Sequence, residues 1–220
     1  MPIDEALEAY LASLDSAQQE FLNDVEELQE EGLTTEEILL FIAAIDLTTY
    51  FVEDLGLSAG VNAYMGATEA ILSDLPFFGA TSEAKLMALQ NVQRTMISNL
   101  TRNDASSLQT AMAQGIANNL GRNDISDLMS NIVKGNRADA TITTMLSTYE
   151  QSVIATMAEG LPENTLWNYV GPRDEKNRPV CREYLSKQPL TKKQIRAIKP
   201  DGFEFRGGWR CRHQWWPIDG

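Results

Sequence analysis

The sequence predicts a mainly α protein, a multi-helix N-terminal region followed by a small α+β C-terminal domain. Three observations carry that prediction. Apolar residues recur every three or four positions from Ile3 to Met157, the period of one helix face, and no convincing strand pattern precedes Pro162. After Pro162 the texture changes: Thr165 to Val170 is rich in strand-favouring residues and stops at Gly171-Pro172. Trp209 to Trp216 then alternates as strands do. The expected organisation is an acidic helical region over 1–100, a helical region over 101–162 leading into the last module, and a small α+β module over 163–220.

Ile3, Leu7, Leu11 and Leu14 mark a first helix, and Ser16 with Gln19 offers a capping box for a second through Phe21, Val25 and Leu28, ended by Gly32. Thr34 and Glu37 form another box, opening a third helix whose stripe is Ile38, Phe41, Ile42, Ile45, Thr49 and Val52. Leu75-Pro-Phe-Phe-Gly reads as a turn or loop because proline removes a backbone donor. Helical spacing resumes from Ser82 to about Leu100, and Asn103-Asp104 precedes a further helix with Leu108, Met112 and Ile116. Gly121-Arg-Asn-Asp is a break, after which Asp124 or Ser126 can cap a short helix ending at Gly135. Ile142, Met145, Leu146, Tyr149, Val153 and Met157 mark a long helix terminated by Gly160-Leu-Pro. Beyond the first strand, Pro179 to Lys187 suits a short helix, Thr191 with Gln194 caps another through Ile195 and Ile198, and Phe203 to Phe205 reads as strand.

Charge is distributed unevenly. Residues 1–84 hold 18 Asp or Glu and no Lys or Arg, whereas residues 171–220 hold 12 basic and 6 acidic side chains. An acidic surface repels phosphate, so the first region suits docking on a basic protein surface, while the basic block can touch DNA. The longest apolar run, Ile38 to Ile45, is too short to cross a bilayer, so no membrane partner is expected. The start Met1-Pro-Ile-Asp-Glu lacks the basic and apolar segments of a signal peptide, and synthesis in a cytoplasm is expected.

Both cysteines, the single histidine and all four tryptophans lie between Trp167 and Pro217. In an extended strand Trp209, Cys211, His213 and Trp215 point one way, so Cys211 and His213 can share a ligand. With Cys181 they make a partial donor set for zinc, and Asp174 or Glu183 is the candidate fourth ligand. The same residues also suit a Cys181–Cys211 disulfide. A third arrangement is a reduced core whose Arg173, Arg178, Arg182, Arg210 and Arg212 pair with Asp174, Glu175 and Glu183. Residue types leave all three open. A Cys-His pair without an orienting third group gives no reason to expect an enzyme, and Asp174-Glu-Lys-Asn-Arg lacks the oxygen spacing and glycine of a calcium loop.

Trp167, Gly171-Pro-Arg-Asp174, Arg178-Pro-Val-Cys181-Arg-Glu183 and Gly207-Gly-Trp209-Arg-Cys211-Arg212-His213-Gln-Trp-Trp-Pro217 together resemble the phage Mu F-like head morphogenesis family. The likeness covers about 50 residues, and the helix-like stretch Ala138 to Met157 is similar to what precedes the cysteine region in that family. The resemblance implies a minor capsid protein of a tailed phage, associated with the portal or inner capsid, multimeric in the virion, and aiding head assembly or DNA delivery. An ejected internal virion protein is the alternative within the same setting. A toxin-associated or catalytic module with a Cys-His site is the alternative from another class.

Overall fold

The computed structural model describes residues 2–74, 83–135, 138–208 and 211–218, and these residues form a mainly helical protein with one small antiparallel sheet near the C-terminus. The helices are α1 (Pro2–Glu30), α2 (Thr35–Ala44), α3 (Leu57–Asp74), α4 (Glu83–Ala117), α5 (Arg122–Gly135), α6 (Ala138–Met157), α7 (Pro179–Lys187) and α8 (Lys192–Ile198). The strands are β1 (Leu166–Val170), β2 (Leu190–Thr191) and β3 (Gln214–Pro217). Two compact units divide the chain: residues 1–67 with 94–142, and residues 68–93 with 143–220. Among the described residues no helix is long and apolar enough to cross a membrane.

In the first unit α1 is one continuous helix rather than the two expected. Ala6, Tyr10, Leu14, Ala17, Phe21 and Val25 form an unbroken buried stripe across the proposed Ser16 cap, so packing keeps the helix intact. The end at Gly32 is as expected. Its φ is +89°, its N–H donates to the Gln29 carbonyl, and Leu33 N–H donates to the Leu28 carbonyl, the pattern that closes a helix on a left-handed residue. The Thr34–Glu37 capping box forms, with Glu37 N–H donating to Thr34 Oγ1 and Thr34 N–H donating to the Glu37 carboxylate.

The stripe from Ile38 to Val52 does not continue as one helix. Asp46 turns its carboxylate onto the Thr49 N–H at 2.8 Å, and a π-helical segment, Thr48–Asp54, follows in place of α-helix. That change of phase buries Phe51 edge-on against Phe21, with ring centres 5.1 Å apart, and leaves Phe41 partly exposed. A second expected break, at Asn103-Asp104, is also absent. Asp104 is fully buried inside α4 and accepts the Tyr10 hydroxyl at 2.9 Å, so its carboxylate serves another helix instead of capping its own. Burial beside that carboxylate drives the Tyr10 hydroxyl far above its ordinary pKa. The break before α5 does form, through Asn119 at φ +55° with Asn119 and Leu120 N–H groups donating to the Ile116 and Gly115 carbonyls.

In the second unit the sheet order is β2-β1-β3, all antiparallel, with Trp167 opposite Leu190 and Tyr169 opposite Trp215. Trp167 and Tyr169 are buried while Leu166, Asn168 and Val170 are exposed, the alternation expected of a sheet with one covered face. The predicted helices α7 and α8 are present, α8 with its Thr191–Gln194 capping box. Met145, Leu146, Tyr149, Val153 and Met157 of α6 are all buried, as their spacing required. Phe203 to Phe205 is a turn and not a strand, because Phe205 N–H donates to the Asp201 carbonyl and Gly208 N–H to that of Phe205. The final strand is confined to Gln214–Pro217. Trp209, Arg210 and the Leu75–Gly79 loop lie outside the described residues.

Helices α1 and α3 approach closely at Gly60, where a Cβ would lie 2.9 Å from the Tyr10 Cα and 2.4 Å from Ser13 Oγ. The first of those contacts is backbone and cannot rotate away. Gly60→Ala is expected to destabilise the protein by about 1–3 kcal/mol, the range for forcing extra volume into a packed interface, as read by urea unfolding; an unchanged midpoint would refute the close approach.

Candidate metal centre

Cys181, Cys211 and His213 come together in the second unit although 30 residues separate the two cysteines. Pro179 opens α7, where a fixed φ suits the first helical position, and one further half-turn points Cys181 inward beside Tyr184. The turn that ends at Gly208, with φ +97°, hands its carbonyl to Cys211 N–H and so aims the second sulfur back at the first. Gly207 makes the approach feasible: a Cβ there would sit 2.2 Å from Cys181 Sγ and 3.1 Å from Cys211 Sγ.

The two sulfurs lie 3.9 Å apart, Cys211 Sγ lies 3.8 Å from His213 Nδ1, and all three donor atoms fall within 4.8 Å of one another. All three residues are buried. A disulfide needs about 2.05 Å between sulfurs, so both cysteines are free thiols here. Zinc–sulfur bonds of about 2.3 Å at tetrahedral angles put neighbouring sulfurs roughly 3.8 Å apart, and the observed sulfur–sulfur separation matches that edge.

Hydrogen bonding selects the histidine tautomer. His213 Nε2 lies 2.9 Å from the Pro172 carbonyl oxygen, which can only accept, so the proton resides on Nε2 and the Nδ1 lone pair faces the sulfurs. A ligating histidine is held in this way by an acceptor on its other nitrogen. The ring stacks on Tyr169, centre to centre 4.7 Å with 5° between planes. Gly171 leaves room for it, since a Cβ there would lie 2.5 Å from His213 Cδ2.

The sulfurs differ electrostatically. A hydrogen bond from the Cys181 thiol, with others from the Tyr169 hydroxyl at 3.0 Å and the Gly207 N–H at 3.4 Å, holds the Cys211 thiol well below its ordinary pKa. Donating to Cys211 and being buried hold the Cys181 thiol above its own. Tyr169 itself stays protonated because burial, and then the neighbouring Cys211 sulfur, raise its hydroxyl.

Arg206 completes the surroundings. It is buried, donates to the His213 carbonyl at 3.2 Å and Ser147 Oγ at 3.0 Å, and sits at φ +53°. Burial lowers its affinity for a proton, and the Cys211 thiolate and Glu150 oppose that. The guanidinium is thus a counter-charge to the sulfur pair.

The other predicted site residues fall outside the cluster. Asp174 is exposed, bidentate to Arg212 at 2.7 and 2.8 Å, and held below the usual carboxylate range chiefly by that pairing, so it is not the fourth ligand. Glu183 pairs with Lys187 at 2.6 Å along α7. Arg178 donates to the Gly207 carbonyl at 2.8 Å and Arg182 to that of Asn177, bracing the turns that carry the cysteines. Trp167 is fully buried with its ring edge-on to Phe203. Tyr169 and Arg206 are positions of the cluster that sequence reasoning missed, while Gly207 was read only as part of the terminal motif; the one available signal was that Tyr169 shares a strand face with Trp167.

No family model, curated protein or solved structure matches the chain.

Tyr169→Phe removes a donor to Cys211 while keeping the ring stack. In metal-free protein the Cys211 thiolate is expected to titrate about one pH unit higher, the scale of one hydrogen bond to a charged group. Ultraviolet thiolate absorbance against pH measures this, and an unmoved curve would remove the phenol from the site.

Proposed function

We propose that the chain is a structural protein of a tailed-phage virion, a minor capsid or head morphogenesis protein whose C-terminal module is tied by zinc. The carrying observation is that the three donor atoms able to meet at one ion belong to Cys181, Cys211 and His213, the residues on which the family resemblance rests. When bound, zinc would link α7 to the segment before β3, the role a disulfide plays in secreted small domains. Sequestration of His213 Nε2 on Pro172 leaves the imidazole with no free nitrogen for proton transfer once Nδ1 is a ligand, which favours a structural over a catalytic use of the Cys-His pair.

The partner is a basic surface of a portal or capsid protein, and the contacting part is the acidic first region. Leu40 is 69% exposed and Phe41 37% exposed in a stretch whose every charged residue is acidic, a combination that suits protein docking and disfavours nucleic acid. The basic C-terminal block faces packaged DNA in this reading. The protein is multimeric in the virion, and its location is the virion.

Zinc at about 100 times its dissociation constant should raise unfolding free energy by about 2.7 kcal/mol. A chelator should reverse the gain, and Cys211→Ser should abolish it. Calorimetry with and without metal checks this; identical melting curves would defeat the zinc assignment.

Quantitative mass spectrometry of purified particles from the phage encoding this chain is expected to find it in a few copies per particle, cross-linked to portal or inner capsid protein. Absence from particles would overturn the virion assignment. Loss from particles after genome ejection would replace it with the ejected internal protein.

A further inference from the structure

We propose that the cleft between the end of α2 and the π-helical segment Thr48–Asp54 is the docking site of the acidic region, and that it takes an arginine side chain presented by the protein partner. The inference rests on the reading of that region as the part that meets a basic protein surface, and adds where the contact centres and what fills it. The cleft holds about 340 Å³. Phe41, Ala44, Ile45 and Tyr50 give it an apolar lining, and Asp46, Thr49 and Asp54 a polar one. It opens where the helical path breaks: α2 stops at Ala44, Asp46 turns back on the Thr49 N–H, and the chain resumes as π-helix. Small-molecule sites run from about 300 to 1,000 Å³, so this volume suits one long side chain.

The lining selects a flat cation. Phe41 is held edge-on to Tyr50, with ring centres 6.4 Å apart, yet stays 37% exposed and so offers π surface to a cation. The end of α2 carries the negative pole of its helix, and its last turn holds no basic residue. Burial, then Asp24, Asp54 and Glu20, push the Tyr50 hydroxyl upward, which gathers three acids around that aromatic wall. The hydroxyl itself donates to Asp24, so the part of Tyr50 left for a ligand is its ring. Arg102 of α4 already acts on Asp46, which assigns Asp54 to the incoming head group. Such a field repels phosphate and disfavours nucleic acid. A guanidinium fits better than an ammonium because it is planar, stacks on aromatic faces, is less strongly hydrated and can fork onto a carboxylate.

The test uses the isotope-labelled full chain and N-acetyl-arginine amide as the probe, at fixed ionic strength, with N-acetyl-norleucine amide as the uncharged comparison. The arginine probe is expected to shift the Ala44, Ile45 and Thr49 amide resonances saturably, with a dissociation constant on the order of 1 mM. The norleucine probe should bind at least about threefold more weakly, the scale of one exposed charge. Asp54→Asn should weaken the arginine probe by about the same factor, and Asp54→Glu should restore it. Phe41→Leu should also weaken it about threefold, the scale of one exposed cation–π contact. Equal binding of the two probes would overturn the basic occupant, as would arginine binding that ignores both Asp54→Asn and Phe41→Leu. Shifts of the same amides when the protein alone is concentrated would give the cleft to a second copy and overturn the partner. Amides that ignore both probes would overturn the site and leave the docking reading, which cross-linking in particles tests, intact.

Discussion

Two thiols and an imidazole are buried close to one another in the second unit, with the Arg206 guanidinium donating to the backbone carbonyl of the same histidine, and much of the C-terminal module is arranged around them. Buried polar groups left without partners cost about 1–3 kcal/mol each, and most polar atoms of the cluster meet another, Arg206 Nε being an exception. Cys181 donates to Cys211, Tyr169 and Gly207 N–H also reach Cys211, His213 meets the Pro172 carbonyl, and Arg206 reaches the His213 carbonyl. The glycines at 171 and 207 follow from this constraint, because any side chain there would occupy the space of the imidazole or the sulfurs. The aromatic rings of Tyr169, Tyr184 and Trp215 pack below with centres 4.4 to 5.0 Å apart and supply the apolar mass that a short segment otherwise lacks.

The first unit rests on a different use of a buried polar group. Tyr10 joins α1 to Asp104 in α4, Gln18 reaches Ser126 and Ser130 in α5, and Arg122 pairs with Glu26. These cross-links set which faces of the long helices meet, and the apolar stripe of α1 then fills the interior. The strongly acidic surface that results comes from placing nearly all the carboxylates of this region on solvated faces, Asp104 excepted, and it is also what orients the functional reading toward a basic protein partner.

Helix type and most helix ends were legible in residue order because they depend on neighbours three or four positions away. The capping boxes at Thr34 and Thr191, the stop at Gly32, the strand at Leu166–Val170 and the helix from Pro179 to Lys187 are all of this local kind. The misreadings at Ser16, Asp46 and Asp104 share one cause. Each is a residue able either to cap its own backbone or to leave the cap unused, and the choice belongs to what packs against it. Ser16 lies beside an uninterrupted buried stripe, Asp104 is taken by Tyr10, and Asp46 alone turns back on its own chain.

The sequence by itself determined the mainly helical class, the acidic-to-basic polarity and the chemical identity of the candidate donors, since composition and short-range spacing are intrinsic to the chain. Only tertiary structure decided which donors meet. Cys181 and Cys211 approach through a helix start and a glycine turn that are remote in sequence, Asp174 is removed from the set by Arg212, and Tyr169 is added as a hydrogen-bond donor by sheet register. Distances of 3.8 and 3.9 Å between donor atoms depend on that long-range packing, and no local pattern encodes them.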